Sequence, residues 1–193
     1  MNKPIPRWPH LLAIPAIGFL WTAVGLAWGV AEPAQLIDVA KKAVRAETLG
    51  QPPPKPASRT PVKPVFVTIE RNGTVLGCRG ALQTRTGSLE DEVILAARAA
   101  ARHDPRYKPL TAEDLQGVLV TVTVVDRLES IKNVSRLSPK DGLVLQSGDR
   151  IGVVLPWEGK DPKVRLQWAY RKAGVKQGER VNLYLMVAER YRG

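Results

Sequence analysis

From Leu11 to Ala31 the chain runs for 21 residues, LLAIPAIGFLWTAVGLAWGVA, without a charged side chain. As a helix rising about 1.5 Å per residue it would reach about 31 Å, enough to cross a hydrocarbon core of about 30 Å. Lys3 and Arg7 lie ahead of the run and no acid occurs before Glu32, a polarity that holds the N-terminus in the cytoplasm and sends the remainder across. Trp8 and Trp28 stand where interfacial aromatics sit. Two readings stay open. Gly29 and Ala31 are small enough for cleavage after Ala31, which makes residues 1–31 a signal peptide. The length suits an uncleaved transmembrane anchor, since signal cores run about 7–15 residues. Both predict that the rest of the protein works outside the cytoplasm, anchored to the inner membrane or released into the periplasm or exterior.

Charge must be read against that division. The 193 residues hold 29 Lys+Arg against 18 Asp+Glu, a formal charge of +11. Lys3 and Arg7 supply two of those charges, so +9 belongs to the part that follows residue 31. A basic exported domain points to anionic lipid headgroups rather than to nucleic acid. One cysteine excludes an intrachain disulfide, and with only two histidines it argues against a Cys/His metal site. No phosphate-binding glycine loop, dinucleotide fingerprint or nucleophile elbow is present, so neither a metal nor a cofactor is expected.

Beyond residue 31, positions 33–49 form an amphipathic pattern in which Leu36, Ile37, Ala40, Ala43 and Val44 share a helix face. Gly50 ends it, and six prolines within residues 51–64 force an extended segment, either a flexible linker or a strap across the domain. Val65–Glu70 and Thr74–Cys78 flank Asn72-Gly73, a strong hairpin signal. Ser88 is placed to cap a helix over 87–102 with a buried stripe of Leu89, Val93, Ala96, Ala97 and Ala100, and Asp104-Pro105 stops it. A single helical turn is expected at 111–115 and a strand at 118–125. Strands at 142–146 and 150–155 flank a Ser147-Gly148-Asp149 loop, followed by a helix at 164–173 closed by Gly174 and a final strand at 181–191. The mixture lacks a βαβ rhythm, so the class is α+β, mainly antiparallel sheet with flanking helices.

The segment with the most chemical content is Val75-Leu76-Gly77-Cys78-Arg79-Gly80. Glycines bracketing the only cysteine permit close approach of a backbone or a ligand, and a neighbouring arginine can lower a thiol pKa. His103 is the one histidine that could serve Cys78 as a base, because His10 precedes the uncharged run. The plainer reading is that Cys78 is a small buried hydrophobe and that His103 sits at a helix end favoured by the dipole. Lys160, Lys163, Arg165, Arg171, Lys172, Lys176 and Arg180 crowd residues 160–180; they form either a solvated helix face or a patch for anionic headgroups.

The order of these segments resembles the AMMECR family, named for the Alport syndrome, midface hypoplasia and elliptocytosis chromosomal region. Val65-Phe66-Val67-Thr68-Ile69, the Asn72-Gly73 turn and Val75–Gly80 match its signature, a VFVT strand, a turn and the motif LRGCIG. Asp104-Pro105-Arg106-Tyr107, Pro109-Leu110-Thr111, Val118–Val125, Asp141-Gly142-Leu143 and Gly152 with Leu155-Pro156 follow in order. The resemblance covers residues 33–193 and implies two subdomains with the glycine-cysteine motif near the cleft between them. Leu76 stands where the family has arginine, and an anion-binding role for that arginine would fall here to Arg79. The resemblance implies a ligand site at Gly77, Cys78, Arg79, Gly80, Arg106 and Tyr107, for a small molecule or a protein. It supplies no reaction, and only by association does it suggest a pathway shared with a Memo-like or a radical-SAM protein. Three functions follow as expectations: an accessory ligand- or partner-binding domain, a thiol enzyme using Cys78 with His103, and an envelope adaptor using the basic face.

Overall fold

The computed structural model describes residues 32–57 and 60–193. The expected membrane segment, residues 1–31, lies outside the described residues; among these, no helix is long and apolar enough to cross a membrane.

Helix α1 (Pro33–Thr48) is followed by the hairpin β1 (Val65–Arg71) and β2 (Thr74–Gly80), helix α2 (Leu89–Arg102) and strand β3 (Leu119–Ile131). A second hairpin, β4 (Gly142–Ser147) and β5 (Arg150–Val154), then leads to helix α3 (Pro162–Ala173) and strand β6 (Asn182–Arg192). The sequence hairpin, helix, strand therefore occurs twice. The six strands make one antiparallel sheet in the order β2-β1-β3-β6-β4-β5. Each half contributes three strands in mirrored order, and β3 and β6 join at the centre.

Strand alternation separates two faces. Val65, Val67, Ile69, Val120, Val122 and Val124 pack against α1 and α2, and Leu143, Leu145 and Val154 pack against α3. Strand β6 shows that all three helices lie on one face, because Tyr191 packs with the first cluster while Leu183 and Leu185 pack with the second. Its intervening residues Tyr184, Met186 and Ala188 turn to the opposite face, where they meet Phe66, Val125, Val144, Leu155, Val153 and Cys78. That cluster unites β1 and β2 with β5, which are remote in the sheet order. The sheet is curled, with its edge strands turned toward each other and the helices outside.

A glycine in each edge strand lets a helix settle against it. A Cβ on Gly77 would lie 2.1 Å from the Ala100 carbonyl oxygen of α2, and one on Gly152 would lie 2.0 Å from that of Ala169 in α3. The Ser88 hydroxyl accepts from the Asp91 amide at 3.2 Å, and Gly174 closes α3 in the left-handed region at φ 64°.

Three details differ from the sequence reading. Strand β3 continues to Ile131, because a bulge at Asp126 re-registers it so that its exposed end pairs with β6. The second hairpin loop holds two residues, Gly148 and Asp149, since Ser147 still pairs with Arg150. The turn near residue 113 is a short 3-10 segment, Glu113–Leu115. The proline-rich stretch behaves as a strap: the Leu89 amide donates to the carbonyl of buried Thr60 at 3.4 Å, and the Ala57 amide donates to Glu90 Oε2 at 2.5 Å.

Candidate functional site

Among the described residues, edge strand β2 has no strand partner on its outer side, and two side chains take that place. Asp104 Oδ2 accepts the Cys78 amide at 2.9 Å, and the Arg106 guanidinium donates to the Cys78 carbonyl at 2.7 Å. Arg106 also donates to both Asp104 oxygens, Nε to Oδ1 at 2.9 Å and Nη2 to Oδ2 at 2.8 Å. Asp104 is buried, which alone would raise its pKa; the bonds from Arg106 and from the backbone amides of Cys78 and Arg106 outweigh this and hold it below the usual carboxylate value. The Asp104-Pro105-Arg106 loop thus satisfies the exposed backbone of β2 where the cysteine sits, a local answer to the problem of an unpaired edge.

Inside the curl, between β2 and β5, lies a cavity of about 480 Å³. Thr68 and Thr121 form part of its floor, Phe66, Val153, Leu155 and Pro156 its apolar wall, and Trp157 stands at its mouth, 53% exposed. Cys78 Sγ accepts from the Thr68 hydroxyl at 3.2 Å. Burial pushes the thiol above its ordinary pKa, and the Thr68 bond offsets this only in part. Cys78 is therefore a neutral thiol near pH 7, not an activated nucleophile.

Four basic residues border the cavity. Arg106 is paired with Asp104, and Lys172 with Glu158 while its Nζ also donates to the Val153 carbonyl at 2.9 Å. Arg79 and Arg190 form no ion pair among the described residues. Glu70, which also lines the cavity and acts on Arg190 electrostatically, is engaged by Arg192.

Of the residues expected at a ligand site, Cys78, Arg79, Gly80, Arg106 and Tyr107 line this cavity. Gly77 does not; it is consumed by the approach of α2. His103 does not line it either: its Nε2 is 3.5 Å from Glu47 Oε1 of α1, and the ring is largely exposed there. Being the C-cap of α2, it takes its direction from the helix end while the next residue turns to β2.

The basic run is likewise divided. Arg165 is no part of a surface patch: it is fully buried, donating to the carbonyls of Ser138 at 2.9 Å, Asp141, and Leu155 at 3.4 Å. Its position on the inner stripe of α3, four residues before Ala169, carried that signal. Lys172 turns to the cavity, and Lys160, Lys163, Arg171, Lys176 and Arg180 are exposed. Sequence reasoning missed Thr121, Arg190 and Trp157, which approach the cysteine only through sheet pairing and curl.

The AMMECR1 family model matches residues 37–193, nearly all of the described residues. The chain belongs to the AMMECR1 family. Among its relatives are a protein of Thermotoga maritima, 33% identical over 132 residues that make up 66% of this chain and 76% of that one, and a protein of Thermofilum pendens, 32% identical over 171 residues, 75% and 80% of the two chains. The crystal structure of an uncharacterised protein from Pyrococcus horikoshii superposes with a TM-score of 0.67 at 28% identity, covering 81% of this chain and 89% of the other. AMMECR1 membership assigns the fold and leaves the chemistry to be argued from the cavity.

Proposed function

We propose that this AMMECR1 domain is an accessory ligand-binding module whose site is the cavity between β2 and β5. The observation that carries the reading is the cavity itself: strands from both repeats and the Asp104–Tyr107 loop converge on one concave space of small-molecule size. The Asp104–Arg106 network supports it by fixing one wall. The thiol-enzyme alternative lacks support, because Cys78 is held neutral and His103 is engaged by Glu47. The membrane-adaptor alternative loses Arg165 and Lys172 from its patch. Placement outside the cytoplasm is a separate proposal, carried by the uncharged run at residues 11–31 alone.

The test is native purification of the full chain, followed by denaturation and mass spectrometry of the released small molecules. Ile151, 44% exposed, lines the cavity, and Ile151→Trp fills space without disturbing the core. A released compound that the variant loses supports the module. Identical contents from both proteins, under conditions where the variant remains folded, contradict it.

A further inference from the structure

We infer that the cavity takes a small organic oxyanion, a carboxylate or phosphate carried on an apolar body. This rests on the cavity being the binding site and specifies what that site selects.

Three independent observations converge. Arg190, at the β6 side of the floor, lines the cavity without an ion pair, and Arg192 beside it is occupied by Glu70. Arg79 on the edge strand pairs with Val67 of the helix face, so its side chain stands on the outer side of the sheet, and Arg190 carries the unpaired charge inside the curl. A guanidinium presents a planar fork that matches carboxylate and phosphate alike.

Thr121, on the floor between the two halves, is 2% exposed, and its hydroxyl has no hydrogen-bond partner among the described residues. A buried polar group left unpaired costs free energy of about 1–3 kcal/mol, and a ligand oxygen would remove that cost. The register places Thr121 beside Thr68 on β1 and opposite Arg192 on β6, two residues along β3 from the Thr123–Arg190 pair. The unsatisfied hydroxyl and the unpaired guanidinium therefore belong to the same stretch of floor.

The third observation is Trp157. It is one of two described non-glycine residues with positive φ, at 65°, a conformation that disfavours a bulky side chain. Its turn is held by its amide donating to the Pro139 carbonyl at 2.7 Å and by the Leu155 amide donating to Glu158 Oε2 at 2.9 Å. The protein thus maintains an exposed indole in the lining of an apolar-walled cavity that also holds Arg190. Such a pairing suits a molecule with an apolar body outside and an oxyanion inside.

The experiment is calorimetric titration of the full chain with phenylacetate, phenyl phosphate and neutral phenylacetamide. The acids should bind about tenfold tighter than the amide, the worth of one charge-assisted hydrogen bond. Arg190→Gln should abolish that preference, and Thr121→Val should weaken the acids by about fivefold. Lys140→Gln, an exposed position away from the cavity, should leave every affinity within about twofold. Whichever acid binds tighter identifies the headgroup as carboxylate or phosphate. Equal binding of acid and amide, absence of binding by all three, or a preference that survives Arg190→Gln overturns the oxyanion inference. Acid binding that survives Ile151→Trp overturns the cavity as its site.

Discussion

At the scale of single residues, Asp104 does the most to shape the site. It joins the end of α2 to the backbone of β2 through the Cys78 amide and holds Arg106 across the Cys78 carbonyl. Its pKa is depressed in the fold, so its stabilising contribution is present above the unfolded value of about 3.9 and is lost as pH falls through the lower folded value. Asp104→Asn should cost about 3 kcal/mol at pH 7, the low end for breaking a buried charge pair because Arg106 is half exposed. Denaturant unfolding across pH would show the variant declining less steeply below about pH 4 than the parent. Parallel curves would remove Asp104 from this role. The Asp-Pro-Arg-Tyr motif was legible in the sequence as a helix stop, but its bonds to a strand 26 positions earlier were not. Nothing local announces which distant backbone a carboxylate will meet.

Among the elements, the two edge strands depend on their glycines in the same way. Gly77→Ala and Gly152→Ala each force a Cβ into a helix carbonyl. Backbone cannot yield as a flexible side chain can, so each should destabilise by about 3 kcal/mol, the upper end of ordinary overpacking. Thermal unfolding of the two variants checks this, and a loss near zero for either would mean that its helix is free to shift. The hairpins, the capped α2 and the Gly174 terminus of α3 were all readable, because each is encoded by residues within a few positions of one another. The outer half of β3 was not, since Arg127–Ile131 is strand only by pairing with β6. Gly77 marks a close approach of either a backbone or a ligand, and what approaches is the backbone of α2. A sequence can mark a close approach without saying what approaches.

Over the whole molecule, the mirrored order of the sheet explains where the cavity lies. Two hairpin-helix-strand units joined through β3 and β6 leave β2 and β5 as the edges, and the curl brings those edges face to face. Each unit buries its helix on the outer face, so the inner face is only partly filled by the Phe66–Met186 cluster. The lone cysteine sits in the wall of the space that remains, and Thr121, Arg190 and Trp157 reach it from three other segments. Their convergence depends on pairings between residues up to 122 positions apart, such as Glu70 with Arg192, which periodicity cannot register. The α+β class, the residues of β2 and Arg106 were therefore legible, whereas Thr121, Arg190 and Trp157 were not. Because Cys78 is the only cysteine in the chain, its alkylation reports on this cavity alone. The most direct measurement is the rate at which iodoacetamide modifies Cys78 in the full-length protein as phenylacetate or phenyl phosphate is added. Whichever acid binds should protect saturably, phenylacetamide should protect little, and Arg190→Gln should lose the protection. A rate indifferent to both acids at millimolar concentration would contradict an oxyanion site in this cavity.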